Sequence, residues 1–252
     1  MTVVPFPVTA PAPQHIAVVM DGNRRWASQR SMPKAIGHAS GARQVRNIVK
    51  ACSDRGIRYL TLFAFSTENW NRPVDEVNSL MGLLVHYLEK EVNGMNANGV
   101  CLKVVGDLSA FDARLQRLMH ESQERTAHNT RITLTIAANY GGRWDMLQAT
   151  RAWLNDHPGS SASELDEQSL KPYLSMAYAP DPDLFVRTGG ESRVSNFLLW
   201  QMAYTELYFT DTLWPEFTPA ALDAAIDWFR QRDRRFGGCS HQVEPSTTPA
   251  FA

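Results

Sequence analysis

Six apolar runs of strand length punctuate the chain at intervals long enough to hold a helix: "HIAVVM" (15–20), "YLTLFAF" (59–65), "CLKVVG" (101–106), "ITLTIAA" (132–138), "DLFVRT" (183–188) and "ELYFT" (206–210). Most are rich in β-branched or aromatic residues and apolar at successive positions, so both faces of each strand need cover. The gaps carry helical periodicity. Ala42, Val45, Val49 and Cys52 recur three or four apart ahead of Gly56, which predicts a helix over 39–55. Pro73 opens another over 75–92, with Asp75 as its N-cap and Val77, Leu80, Met81, Leu84, Val85 and Leu88 on a broad apolar face. Further helices are expected near 111–128, 142–155, 165–174 and 218–235.

Helices between successive strands imply βαβ crossovers, so the chain reads as α/β with a mainly parallel six-stranded sheet flanked by helices. At 252 residues either one such domain or two small ones could bury a core; one is expected. It spans 15–237, between a flexible proline-rich lead (1–14) and a disordered tail (238–252).

Composition removes several function classes. The 25 basic and 26 acidic residues nearly cancel, leaving no global field to draw the protein to nucleic acid. Cys52, Cys101 and Cys239 form no CxxC or Cys/His cluster, so neither zinc nor a redox pair is indicated, and a reduced cytoplasmic setting is expected. The lead lacks a basic start, and Pro5, Pro7, Pro11 and Pro13 would interrupt a signal helix. No apolar run approaches the roughly 20 residues of a membrane span.

The polar clusters follow the strands: "DGNRRW" the first, "STENWNRP" the second, "GD" the third, "NYGGRW" the fourth and "RTGGESR" the fifth. In an open parallel sheet these strand ends share one rim, where ligands bind. Turns are polar and glycine-rich for their own reasons. Arginine paired with glycine after two separate strands asks for more, because glycine lets backbone N–H groups approach an anion and arginine offers phosphate a bidentate fork. Asp21 sharpens the point. A carboxylate beside a phosphate is repulsive unless a cation lies between them, and Mg²⁺ commonly binds through one or two carboxylates plus substrate phosphates. An Asx-type turn at Asp21–Gly22 remains the competing reading. No GxxxxGK[ST] or GxGxxG occurs, which excludes a P-loop and argues against a dinucleotide. No adjacent aspartates occur either, so the DDxxD signature of the all-helical trans-prenyl synthases is missing.

The blocks "HIAVVMDGNRRWA", "GHASGA", "TLFAFSTENWNRP", "IAANYGGRWD" and "RTGGESRVSNFLLWQMAYTELYFTD", followed by "LWPEF", resemble the signature of the cis-prenyltransferase (isoprenyl transferase) family, in particular its bacterial undecaprenyl diphosphate synthase branch. The resemblance runs in order from His15 to Gly238. It implies a homodimer of the undecaprenyl diphosphate synthase-like fold, Mg²⁺ as cofactor, and repeated condensation of isopentenyl diphosphate onto an allylic diphosphate, farnesyl diphosphate by preference, with new Z double bonds.

By that resemblance Asp21 is catalytic and binds Mg²⁺, with Gly22, Asn23, Arg24, Arg25, Trp26, Lys34 and His38 around the allylic phosphates. Ser66, Thr67, Glu68, Trp70 and Arg72 bind substrate, and Asn69 accepts the proton or organises its acceptor. Arg187, Arg193, Val194 and Ser195 hold isopentenyl diphosphate. Glu206 joins the metal from the partner subunit or near the interface. A neutral amide is a poor base, so Asn69 is expected to position a water or diphosphate oxygen. Two residues depart from the bacterial pattern: Arg24 replaces a usual glycine, and Lys34 replaces a usual arginine and so lacks its fork.

The helix 75–92 and the strand 132–138 are the expected walls of an apolar enclosure for the growing chain. Ile132, Leu134 and the face Leu80–Leu88 would set its depth. A short-chain Z-prenyl diphosphate synthase is the nearest alternative reading. A non-catalytic binding subunit fits less well, since Asp21, Gly22 and Asn23 are all present. A long lipid product also brings peripheral membrane contact at release into consideration.

Overall fold

In the computed structural model, which describes residues 12–232, the first strand lies inside the sheet rather than at its edge. The strands are β1 (His15–Val19), β2 (Tyr59–Ser66), β3 (Val100–Val105), β4 (Ile132–Tyr140), β5 (Leu184–Arg187) and β6 (Glu206–Phe209), in the order β3-β4-β2-β1-β5-β6. Every neighbouring pair is parallel. All six expected strands therefore form, within two residues of their expected ends. The lead up to residue 11 and the tail 238–252 lie outside the described residues.

Burial explains why the runs are apolar at successive positions. Ile16 and Val18 of β1 pack into one hydrophobic cluster, while Ala17 and Val19 pack into another on the opposite face. Leu60 and Leu62 of β2 join the first cluster, and Tyr59 and Phe63 flank the second. With side chains alternating between faces, a strand covered on both sides has no polar positions to offer.

The helices are α1 (Asn23–Ser28), α2 (Lys34–Asp54), α3 (Val74–Ala97), α4 (Ala113–Thr126), α5 (Gly142–Asp156), α6 (Glu167–Leu170) and α7 (Pro219–Arg230). Several differ from expectation. The first, α1, was not foreseen, because "NRRWAS" buries only Ala27 and carries no apolar stripe. Asp75 does not cap α3: Pro73 holds the N-cap position and Asp75 lies in the first turn. That helix also runs on to Ala97, since Val92 and Met95 continue its buried face through Gly94. The stretch 165–174 divides into α6 and a 3₁₀ turn, Lys171–Tyr173, at Pro172, whose nitrogen has no hydrogen to donate.

Glycine sets the approach of α2. A Cβ on Gly37 would come within 2.1 Å of the Asn23 carbonyl oxygen, and one on Gly41 within 2.3 Å of Asn23 Oδ1. The "GHASGA" block thus presses α2 onto the loop that leaves β1. Trp214, fully buried, donates from Nε1 to the Gly41 carbonyl at 2.9 Å and locks the contact.

Candidate active site

The strand ends of β1, β2 and β5 are adjacent, since Val19 pairs with Phe63 on one side and Arg187 on the other. The connection leaving β1 leads to β2 and that leaving β5 leads to β6, in opposite directions along the sheet. Between two such strands an open parallel sheet leaves a crevice. A cleft of about 1030 Å³ occupies it here.

Asp21 sits where β1 ends. Its Oδ1 accepts the Gly22 backbone N–H at 2.6 Å, one residue on rather than the two residues on that define an Asx-type turn. Gly22, at φ 103°, takes the left-handed conformation that lets the chain enter α1. That contact and the charged environment coexist: Arg187 Nη2 donates to Asp21 Oδ2 at 2.9 Å, and Arg25 Nη2 lies 3.4 Å from Oδ1. Asp21 keeps 31% of its side chain exposed, facing the cleft, whereas Arg187 keeps 4%. Thr188 fixes the backbone between them, accepting from the Asp21 N–H at 3.0 Å and donating to its carbonyl at 2.7 Å.

The loop after β5 is anchored by the same arginine. Arg187 Nη1 donates to the Arg193 carbonyl and to Ser195 Oγ, both at 2.6 Å. Ser195 and Asn196 adopt positive φ, at 52° and 60°. Asn196 is held from two sides: its Oδ1 accepts from the Arg143 N–H at 3.0 Å and its Nδ2 donates to Glu68 Oε1 at 2.8 Å. Burial pushes the Glu68 carboxyl up, but the hydrogen bonds from Asn196, its own backbone, Ser66 and Thr67 outweigh it and leave it below the usual carboxylate range.

Ser66 to Asn71 turns as a capping box, in which Asn69 Oδ1 accepts the Ser66 N–H at 3.1 Å. One lone pair of Asn69 is thereby committed to the turn, which fits an organising group better than a base. His38, with 9% of its side chain exposed, lines the cleft, and its Nε2 is buried with no hydrogen-bond partner. Burial lowers its pKa; Glu76 pulls it up, against Arg72 and Arg24.

Of the expected site residues, Asp21, Gly22, Asn23, Arg24, Arg25, Lys34, His38, Ser66, Glu68, Asn69, Arg72, Arg187, Arg193 and Ser195 line the cleft together. Five do not. Trp26 turns its Nε1 to Glu216 Oε1 at 3.3 Å, beneath the Arg30 guanidinium. Trp70 donates to Asn139 Oδ1 at 2.8 Å and packs on Phe65 and Phe111. Val194 packs against the second hydrophobic cluster, and Thr67 stands off the cleft beside Gly141. Glu206 opens β6 and pairs with Leu184, at the opposite edge of the sheet from Asp21, because β6 is parallel. This chain's own Glu206 therefore cannot share a metal with its Asp21.

Arg143, Glu191 and Asn196 also line the cleft and were not foreseen. For Arg143 a signal existed, since "GGR" after β4 repeats the pairing of glycine with arginine that marked the other two loops.

A second, apolar pocket of about 130 Å³ shares Met20, Asn23, His38, Phe63, Ala64 and Leu80 with the cleft. It runs between α2 and α3, lined by Val45, Met81, Leu84, Tyr87 and Ile136. Of the expected floor residues, Ile132 is buried in the core, whereas Leu134 lines a further pocket of about 390 Å³ that also lies between α2 and α3 and shares Tyr87; Ile136, on the same face of β4, lines the apolar pocket itself.

Among the described residues no group of three or more His, Cys, Asp or Glu could hold a metal by itself. A cation at Asp21 would have one carboxylate from this chain and would draw its other ligands from phosphate and water. That donor set fits Mg²⁺. The arrangement can accept two phosphorylated groups beside an apolar pocket. No helix among the described residues is long and apolar enough to cross a membrane.

Comparison with known proteins gives a consistent result. The family model described as "Putative undecaprenyl diphosphate synthase" matches residues 19–237. The isoprenyl transferase of Ralstonia nicotianae is 53% identical over 246 residues, 98% of this chain and 95% of that protein. The ditrans,polycis-undecaprenyl-diphosphate synthase ((2E,6E)-farnesyl-diphosphate specific) of Pseudomonas aeruginosa is 47% identical over 240 residues, 94% of this chain and 96% of its own. Among solved structures, lavandulyl diphosphate synthase from Lavandula x intermedia, in complex with dimethylallyl diphosphate, superposes with a TM-score of 0.86 at 34% identity, covering 90% of this chain and 98% of that one. A "probable undecaprenyl diphosphate synthase" from Campylobacter jejuni gives 0.77 at 34% identity, covering 89% and 98%.

Proposed function

The chain belongs to the undecaprenyl diphosphate synthase family of prenyltransferases, and on that premise we propose that it extends an allylic diphosphate, farnesyl diphosphate by preference, with isopentenyl diphosphate units to give a long Z-polyprenyl diphosphate such as the undecaprenyl carrier of cell-wall synthesis. The observation that carries this reading is the union of two sites. A cationic cleft built from the ends of β1, β2 and β5 opens directly onto an apolar pocket between α2 and α3.

In this reading Arg187, Arg193 and Ser195 bind the isopentenyl diphosphate. Asp21, Asn23, Arg24, Arg25, Lys34, His38 and Arg72 surround the allylic diphosphate. Gly22 brings the backbone close, and Ser66 and Glu68 shape the wall between the two groups. In each cycle the allylic C–O bond breaks, pyrophosphate leaves, a C–C bond forms to the isopentenyl unit, and a proton is lost as the new double bond appears. Positive charge fixed on the leaving oxygens stabilises charge that develops only in the transition state, the largest single contribution in many enzymes. Mg²⁺ held by Asp21 would add to that charge neutralisation. Asn69, tied into its turn, positions the water or diphosphate oxygen that takes the proton. Phe63, Ala64 and Leu80 line both cavities and keep the reacting carbons away from bulk water.

Four further assignments belong to the same proposal. The enzyme is a cytoplasmic homodimer in peripheral contact with the membrane at product release. Dimerisation is supported by Glu206: it could meet a metal at Asp21 only across a subunit boundary, and its neighbour Leu207 on edge strand β6 is exposed. A single domain over 15–237 is supported by the one continuous sheet.

A second reading is favoured by one observation. The apolar pocket that adjoins the cleft, about 130 Å³, is smaller than the roughly 300–1,000 Å³ of a drug-sized ligand site, which suits a short product if Tyr87 closes it off from the further pocket of about 390 Å³ between the same helices. Product analysis decides. Purified protein with Mg²⁺, farnesyl diphosphate and radiolabelled isopentenyl diphosphate should release pyrophosphate and give one long polyprenol after dephosphorylation. A fifteen- or twenty-carbon product establishes the short-chain reading, and no pyrophosphate release refutes both.

A further inference from the structure

We propose that Glu76 is a positioning residue for diphosphate binding, a buried carboxylate that pins Arg24 and Arg72 beside His38 at the cleft. The inference rests on the reading of that cleft as the diphosphate site and adds to it a residue that does not itself line the cleft.

Glu76 stands in the first turn of α3 with 8% of its side chain exposed. Its Oε1 lies 3.2 Å from Arg72 Nη1, 3.7 Å from Arg24 Nη1 and 3.8 Å from His38 Nε2. The three partners come from three separate segments: the turn after β2, helix α1 and helix α2. All three line the cleft. A carboxylate this far out of water is costly unless it is paired, and breaking such a pairing strands a buried charge. An i,i+4 pair with Arg72 alone would be an ordinary helix contact. Convergence of α1 and α2 on the same oxygen is not.

Each guanidinium has five N–H donors, so Arg24 and Arg72 can keep one edge on Glu76 and turn the other toward phosphate. Held this way, they give up less freedom when the ligand arrives, which is the usual gain from preorganisation. His38 Nε2, buried at 3.8 Å from the same oxygen and in no hydrogen bond, lies beside them at the junction of the cleft and the apolar pocket. The arrangement also accounts for Arg24. Nearly half of its side chain is exposed, and an arginine at the cleft mouth without an anchor would sample many rotamers. Glu76 gives it one address.

The opposite effect is conceivable on electrostatic grounds, since a carboxylate near a diphosphate repels it. The two differ in sign, so a binding measurement separates them. The probe is inorganic pyrophosphate with Mg²⁺, titrated calorimetrically into the wild type, Glu76→Gln, Glu76→Asp, Arg24→Gly and the Glu76→Gln/Arg24→Gly double variant, with KM and kcat measured alongside. Glu76→Gln is expected to weaken pyrophosphate binding and raise KM about tenfold, the scale of one charge-assisted hydrogen bond, with a much smaller change in kcat. Glu76→Asp should restore part of the loss. Arg24→Gly should cost less in the Glu76→Gln background than in the wild type, because both substitutions break the same link.

Unchanged or tighter binding by Glu76→Gln overturns the proposal, as do strictly additive effects of the two substitutions. If Glu76→Gln does not fold, wild-type affinity in Glu76→Asp together with an unaltered Arg24→Gly overturns it. A wild type that binds no pyrophosphate removes the diphosphate reading of the cleft and this inference together, whereas normal wild-type binding with an unaffected Glu76→Gln removes this inference alone.

Discussion

Arg187 Nη2 lies 2.9 Å from Asp21 Oδ2, and the guanidinium that makes this contact is almost wholly buried. Through its other nitrogen it holds Ser195 and the Arg193 carbonyl, so a single side chain ties the end of β1 to the loop after β5. The acid that would hold the metal and the loop assigned to isopentenyl diphosphate are thus positioned against each other. Their electrostatic roles still differ, and substitution can separate them.

Asp21→Ala is expected to lower kcat by about 10²–10³, the cost of removing one group that stabilises transition-state charge, while isopentenyl diphosphate still binds. Asp21→Asn should fall nearly as far, although its Oδ1 can still accept the Gly22 N–H. Steady-state turnover in saturating Mg²⁺ is the measurement. Near-normal turnover in either variant would remove Asp21 from the chemistry.

Arg193→Ala is expected to raise KM for isopentenyl diphosphate about tenfold, as loss of a charge-assisted contact predicts, with kcat less affected. The side chain is exposed and pairs with Glu191 at 2.5 Å, whereas its carbonyl, which Arg187 holds, survives the substitution. The loop should therefore keep its path. An unchanged KM would dissociate this loop from isopentenyl diphosphate.

The sheet was legible because its strands are covered on both faces, so Ile16, Ala17, Val18 and Val19 had to be apolar in succession. Helix α1 was not, since a six-residue polar segment carries no periodicity and owes its form to Gly22 and to the pressure of Gly37 and Gly41. At the site, the pairing of glycine with arginine marks which loops meet a phosphate, but it does not say which way a side chain turns. Trp26 and Trp70 sit inside the right motifs and yet face Glu216 and Asn139. Glu76 shows the converse. It lies outside the quoted blocks, two residues into an amphipathic helix, and only the folded chain brings α1 and α2 to its carboxylate.

Asp145→Asn is expected to destabilise the fold by about 3 kcal/mol, the scale of breaking a buried charged network. The Asp145 carboxylate accepts from Tyr140 Oη at 2.8 Å, Gln148 Nε2 at 2.9 Å, Ser175 N–H at 2.9 Å and Oγ at 2.7 Å, and Gln201 Nε2 at 3.2 Å. Burial, and then the charge of Asp145, push the Tyr140 phenol far up, so it stays protonated as the donor. An asparagine would turn an NH₂ group toward donors it cannot satisfy. Urea unfolding measures the loss, and a change below about 1 kcal/mol would mean that the network relaxes around the amide.

His15 should make the fold acid-sensitive. Its Nδ1 lies 2.6 Å from the Pro180 carbonyl, which can only accept, so that nitrogen carries the proton and Nε2 accepts from Thr61 Oγ1 at 2.8 Å. Burial lowers its pKa from 6.5 to about 4, although the Pro180 hydrogen bond and the nearby Asp183 carboxylate both pull upward. A lowered histidine pKa means that the unfolded chain takes up the proton first. The stabilisation is therefore complete above pH 6.5 and is lost progressively as pH falls toward 4. Between pH 7 and pH 5 this one group should remove about 2 kcal/mol of stability. Urea midpoints measured across that interval should fall in the wild type, and the fall should be shallower in His15→Gln, whatever that substitution costs at neutral pH. An equal slope in both proteins would place the acid sensitivity elsewhere.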